Sequence, residues 1–321
     1  MTLQCLVLQP IHGEGLALLR DAGIEPIICP DSVPETVRHL APGCSAVITR
    51  DFGFPFAFFD LVPDLKVISV HGTGYDAVDT VSATDRGILV CNAPGANARS
   101  VAELALGLSF AAARLISAAD RAARNGETGF REHACFQELF GKTALIVGLG
   151  ATGRTFAQML DGLGLNLIVY SPRAPDEEGF ERVTDLHQGL GRADLISLHT
   201  PMRAETRGLI GQEALRHVKP GAILINTARA GLIDEAALHA AIEVGTIAAA
   251  GLDVYSTDAP QGPLSKTNRV VFTPHLGGTT EAAARRTALA AARNVIAALN
   301  GQTPATAINL PVGRHTSPQK T

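Results

Sequence analysis

The sequence predicts an α/β protein built from two doubly wound parallel-sheet domains. Short β-branched runs alternate with helical patterns from one end to the other, and the alternation occurs as two separate series. With 321 residues, 46% hydrophobic and 18% charged, the chain has the length and composition to bury two cores.

The first series is "CLVL" (5–8), "IEPII" (24–28), "SAVIT" (45–49), "LKVISV" (65–70) and "GILV" (87–90). The second is "TALIVG" (143–148), "LNLIVY" (165–170), "ADLISLH" (193–199), "GAILIN" (221–226), "IAAAGLDV" (247–254) and "RVVFTPH" (269–275). Between them, 100–126 reads as one helix, opened by a capping box of Ser100 and Glu103 and ended near Gly126. A last helical pattern, about Thr279 to Asn300, is long enough to cross back to the first domain, and "VGRHTSPQKT" reads as a loose tail. The first domain is therefore expected to be discontinuous, 1–98 with 289–321, around an inserted second domain at 99–288.

Bulk features narrow the function classes. A net charge of −4 with no basic block argues against nucleic acid as a partner. The N-terminus lacks the basic region of a signal peptide, and Arg114 interrupts the apolar stretch "LGLSFAAARLISAA" before it spans a bilayer. Five scattered cysteines without a C-x-x-C pair suggest neither a disulfide framework nor a metal site; a reducing, cytoplasmic setting is expected.

"TALIVGLGATGRTFAQML" places Gly148, Gly150 and Gly153 directly after a strand and at the head of a helix. The glycines allow a tight turn, close approach of a pyrophosphate and close helix-to-strand packing. Free N–H groups of Ala151, Thr152 and Gly153 and the helix dipole then hold the negative charge. This context, more than the motif, predicts dinucleotide binding. The next strand ends in "IVYSPR". An acid at this point would accept bonds from the adenosine ribose of NAD and repel a 2′-phosphate; here Ser171 is uncharged and Arg173 can pair with that phosphate. NADP is favoured over NAD, against the alternative that Ser171 begins a turn and Arg173 is a solvated loop residue.

Three further strands run into "NTARAGLIDE" with Thr227, Ala228 and Arg229, "AGLDVYSTDAP" with Asp253 and Asp258, and "VVFTPHLGGTT" with His275 and Gly277. The carboxyl ends of parallel strands line the ligand crevice, so these residues are expected at the nicotinamide end of the cofactor, with Thr227, Ala228, Asp253 and Gly277 touching it. Reduction of a 2-keto acid needs a cation to hold the carboxylate, which arginine's planar fork suits, and a proton donor titrating near neutrality, which histidine suits. A carboxylate bonded to the imidazole would hold its position and favour its protonated form.

From "HGTGYDAVD" through "SVAEL", "VGLGATG", "SLHTP", "KPGAILINTARAGLIDE" and "AGLDVY" to "TPHLGG", the chain resembles the D-isomer-specific 2-hydroxyacid dehydrogenases, the family of D-3-phosphoglycerate dehydrogenase and the glyoxylate/hydroxypyruvate reductases. The resemblance implies a Rossmann cofactor domain inserted into a flavodoxin-like substrate domain, and a homodimer through the cofactor domain. It also implies a catalytic set of Arg229, Asp258 and His275. Two positions depart from the family pattern: Asp258, followed by Ala259, stands where glutamate and proline are usual, and Ala230 where glycine is common. The shorter aspartate predicts a long or water-bridged bond to His275.

In "SVHGTGYDAVD" the glycines permit an anion nest, and by resemblance the Thr73 and Gly74 N–H groups meet the substrate carboxylate; an ordinary strand-to-helix turn is the alternative. Arg50 in "VITRDFGFPFAFF" matches a basic residue of the family. Phe52 and Phe54 stand where a further basic residue would suit a phosphorylated substrate, although Phe56 and Phe59 are also spaced like one helix face. The reading is a reductase of a small, unphosphorylated 2-keto acid, with NADP favoured or NAD. NAD-dependent oxidation of a phosphorylated or sulfonated 2-hydroxy acid is the alternative, and a corepressor-like binding protein a remote one.

Overall fold

A computed structural model describes residues 3–173 and 179–311 in two compact units; the expected loose tail at 312–321 lies outside the described residues. The first unit contains β1 (Leu3–Val7), α1 (Gly13–Asp21), β2 (Ile24–Ile28), α2 (Pro34–Leu40), β3 (Cys44–Thr49), β4 (Val67–Val70), α3 (Thr80–Asp85) and β5 (Leu89–Cys91). Its sheet is parallel throughout, in the order β2-β1-β3-β4-β5. Every residue of β3, β4 and β5 is buried, which is why these strands read as continuous apolar runs rather than alternating ones.

The second unit, Ala98–Gly277, opens with α4 (Ala98–Ala113), α5 (Ile116–Arg124) and α6 (Phe130–His133). It continues with β6 (Thr143–Val147), α7 (Ala151–Gly162), β7 (Asn166–Tyr170), β8 (Glu181–Arg182), α8 (Leu186–Arg192) and β9 (Leu195–Leu198). After these come α9 (Gln212–Arg216), β10 (Ala222–Asn226), α10 (Glu235–Glu243), β11 (Ile247–Leu252) and β12 (Val270–Phe272). Seven parallel strands lie in the order β12-β11-β10-β9-β6-β7-β8, the doubly wound arrangement of a Rossmann sheet extended at one edge. The chain then returns to the first unit as α11 (Glu281–Leu299), capped by Thr280 and packed on α1, β3 and β4. Alanines on its buried face bring it close: a Cβ on Gly15 of α1 would lie 2.8 Å from the Cβ of Ala288.

The units change at Asn97, where 98 was expected, and at Gly277, where 288 was expected, because the whole of α11 belongs to the first unit's core. The predicted single helix over 100–126 is two helices. Leu115 takes a left-handed backbone, φ 49°, and α5 leaves α4 at 59°. Nor does the capping box form: Ser100 lies inside α4 and donates its hydroxyl to the Gly277 carbonyl at 2.6 Å, while Glu103 pairs with Arg99. No single helix among the described residues is long and apolar enough to cross a membrane; α4 and α5 reach that length only as a bent pair. β8 was not foreseen, since its two residues carry no periodic signal.

Candidate active site

The phosphate loop is built by steric exclusion. Gly148 follows β6 with φ +99°, and a Cβ there would sit 2.7 Å from the His199 carbonyl oxygen; a Cβ on Gly153 would sit 2.0 Å from the Gly148 oxygen. Only glycine lets α7 start this close to the strand. At Gly150, the residue before α7, a Cβ would meet nothing within 4 Å, so the space over the helix N-terminus is open. The N–H groups of Ala151, Thr152 and Gly153 open the first turn there, with the helix dipole behind them. Beneath the loop lies His199, a residue the sequence reading left aside. It is partly buried, bonded to the Ser197 hydroxyl at 2.9 Å and tilted against Phe156, and desolvation of the ring pushes its pKa down to about 3. A neutral imidazole is therefore part of the floor of the site.

At the end of β7, the Ser171 hydroxyl accepts from the Leu149 N–H at 3.1 Å, which ties this strand end to the phosphate loop. Arg173 is ion-paired with Glu205 from the turn after β9. Arg182, on β8, donates to the Ser171 carbonyl at 2.5 Å.

The ends of β10, β11 and β12 form one hydrogen-bonded assembly. Asn226 is fully buried: its amide donates to the Arg229 carbonyl (2.8 Å) and accepts from the Ala228 N–H (3.0 Å), and its backbone carbonyl accepts from the Asp253 N–H (2.9 Å). Arg229, extended at φ −147°, donates to the Ala228 carbonyl. Asp253, 1% exposed, accepts from the Thr273 hydroxyl (2.6 Å) and from the Leu276 and Gly277 N–H groups (2.7 and 2.9 Å). Between them His275 has φ +55°, a left-handed backbone that a histidine rarely adopts without support from its surroundings. Asp253 and Gly277, expected as cofactor contacts, thus bond to each other and hold the His275 loop.

Asp258 and His275 are both exposed, and no hydrogen bond joins their side chains. The shorter aspartate was expected to leave this bond long or water-bridged, and no direct bond is seen. The Asp258 loop is anchored at Ser256: Glu235, at the start of α10, accepts from the Ser256 N–H (2.7 Å) and hydroxyl (2.5 Å).

In the first unit, Arg50 follows β3, and Thr73 and Gly74 follow β4, all at carboxyl ends. Gln9, after β1, was missed by the sequence reading. Its side-chain oxygen accepts from the Arg50 and Phe52 N–H groups, both at 3.0 Å, bridging the β1/β3 switch point where open α/β sheets take ligands. The Arg50 guanidinium donates to the Pro10 carbonyl. The Thr73 side chain is bonded toward Ala93 and Asn97, and its carbonyl accepts from Asn92. Phe54 is core, in edge-on contact with Phe58 and Phe59, so it cannot line a substrate pocket; Phe56 is exposed under Arg86 rather than sharing a buried face with Phe59.

Two details show how these residues suit a dinucleotide. The space over Gly150 would admit a pyrophosphate, and the buried Thr227 hydroxyl is the one buried side-chain polar atom among the described residues without a hydrogen-bond partner. Such an atom costs stability unless a ligand satisfies it. Fold and residues fit a dinucleotide-binding dehydrogenase. The family model described as D-isomer specific 2-hydroxyacid dehydrogenase, NAD binding domain, matches residues 106–277. A D-3-phosphoglycerate dehydrogenase of Methanocaldococcus jannaschii is 35% identical over 95% of this chain and 59% of its own length. A glyoxylate reductase of Thermococcus litoralis is 40% identical over 77% of this chain and 78% of its own. The crystal structure of the TT0316 protein from Thermus thermophilus superimposes with a TM-score of 0.86 at 32% identity, covering 95% of this chain and all of that one. The chain belongs to the D-isomer specific 2-hydroxyacid dehydrogenase family. It spans about three fifths of the length of the phosphoglycerate dehydrogenase relative.

Proposed function

We propose that the protein reduces a small, unphosphorylated 2-keto acid of the glyoxylate or hydroxypyruvate kind to a D-2-hydroxy acid, using NADPH in preference to NADH. The observation that carries this reading is the left-handed His275, held by the buried Asp253 carboxylate beside the strand end that presents Arg229. Backbone strain of this kind clusters where a side chain must be aimed.

Bound reduced nicotinamide supplies the hydride for the carbonyl carbon. Arg229 binds and orients the substrate carboxylate through its planar fork, bringing the reacting carbon to a fixed place. His275 gives its proton to the carbonyl oxygen as the alcohol forms, and regains one from solvent, to which it is exposed. Asp258 supports the imidazolium through solvent rather than by direct contact. In the first unit, Thr73 and Gly74 offer backbone N–H groups to an anion and Arg50 a positive charge.

Ser171 and Arg173 in place of an acid support the NADP preference. Oxidation of a phosphorylated hydroxy acid is the second reading, supported by the identity to the phosphoglycerate dehydrogenase. We further propose a homodimer through the cofactor unit, supported by the exposed Phe110, Phe140 and Leu163 lining one depression beside α4, and a cytoplasmic setting, supported by five free cysteines. The deciding experiment measures kcat/KM for glyoxylate and hydroxypyruvate with NADPH and with NADH in one buffer. Turnover of either acid with an NADPH preference is expected; turnover only of phosphorylated hydroxy acids with NAD would replace this reading with the second.

A further inference from the structure

The end of β7 is where a doubly wound sheet meets the adenosine ribose, and an acid there accepts from the ribose hydroxyls of NAD. Ser171 offers a single neutral hydroxyl, already bonded to the Leu149 N–H, in place of the two charged oxygens of a carboxylate. Yet a carboxylate is present at this strand end, delivered from a different element. Glu205, on the turn Ala204–Thr206 after β9, reaches across to Arg173. The turn is braced, because Thr206 accepts from the Arg203 N–H and donates to the Pro201 carbonyl, both at 2.8 Å. Arg182 braces the other side through the Ser171 carbonyl. The pair itself is open to ligand, with side-chain exposures of 60% for Arg173 and 54% for Glu205.

We propose that Glu205 is the specificity-determining acid of the cofactor site. Its carboxylate accepts from the adenosine ribose hydroxyls of NADH, the task usually performed from the end of β7. With NADPH it becomes a competitor, because the 2′-phosphate must displace it from Arg173. The phosphate wins that exchange by carrying more charge and a third acceptor oxygen. An exposed ion pair contributes little to folding, so the exchange leaves the scaffold intact. The chain then accepts both cofactors, with a preference set by the balance between one arginine and one glutamate. This inference rests on the reading above that the end of β7 holds the adenosine ribose.

Equilibrium binding of NADPH and NADH to the full-length chain, by calorimetry and without substrate, tests it in the wild type, Glu205→Gln and Arg173→Ala. Removing the competing charge is expected to tighten NADPH and weaken NADH, moving the ratio of the two Kd values about tenfold toward NADPH. Arg173→Ala is expected to weaken NADPH and spare NADH. An unchanged ratio in Glu205→Gln would overturn the role of Glu205 alone. If Arg173→Ala leaves NADPH affinity intact, the 2′-phosphate reading fails as well, and a wild type that binds neither cofactor would overturn the proposed function together with this inference.

Discussion

His199 shows how a residue outside the reacting set can matter. The ring has no charged partner in the floor of the phosphate loop, and burial holds its pKa near 3 against an ordinary 6.5. Between about pH 6.5 and 3 the unfolded chain therefore binds a proton at this ring that the native protein refuses. The contribution of the neutral ring is fully present above pH 6.5 and is lost as the pH falls, by up to about 1.4 kcal/mol per pH unit. Denaturant midpoints at pH 7 and pH 5 are expected to fall more steeply for the wild type than for His199→Gln; parallel slopes would show that burial does not depress this histidine. Residues of this kind are hard to read in a sequence. Arg229 and His275 stand in motifs at strand ends, whereas His199 and Gln9 owe their places to neighbours distant in the chain, Phe156 for one and Arg50 for the other. The sequence singled out Asp253 but not this task, because nothing in "GLDVY" indicates that both carboxylate oxygens are committed to the loop 273–277.

Elements followed the sequence pattern where local and tertiary preferences agreed. The glycine turn between β6 and α7 is an example: the motif predicted close packing, and the contact is closer than any side chain allows. Gly153→Ala is expected to cost about 1–3 kcal/mol as overpacking against backbone, and to weaken NADPH binding by shifting the first turn of α7. A melting scan and a cofactor titration on the same sample would check both; an unchanged melting temperature with unchanged affinity would mean the loop relaxes freely. The pattern failed at 100–126, where a helical composition continues without interruption through the bend. Leu115 is not a helix breaker, and its left-handed backbone is imposed by packing, with Leu115 itself lying against the core beneath α4. The capping box failed for a related reason: the Gly277 carbonyl, far along the chain, takes the Ser100 hydroxyl.

At the scale of the molecule, two sheets of the same doubly wound kind are each read at their carboxyl ends. The chain leaves the first unit after Asn97 and returns to it at Gly278. The discontinuity was legible from the length of the last helix, while its boundary was not, since the Gly-Gly turn at 277–278 gives no sign of which unit α11 will join. The proposed function rests on a single chemical claim: His275 gives the proton in a reduction that Arg229 orients. The most direct test compares wild type and His275→Ala for NADPH oxidation with hydroxypyruvate, alongside the Kd for NADPH. The account predicts a fall in kcat of about a hundredfold or more with cofactor affinity preserved; near-normal turnover in the variant would contradict it.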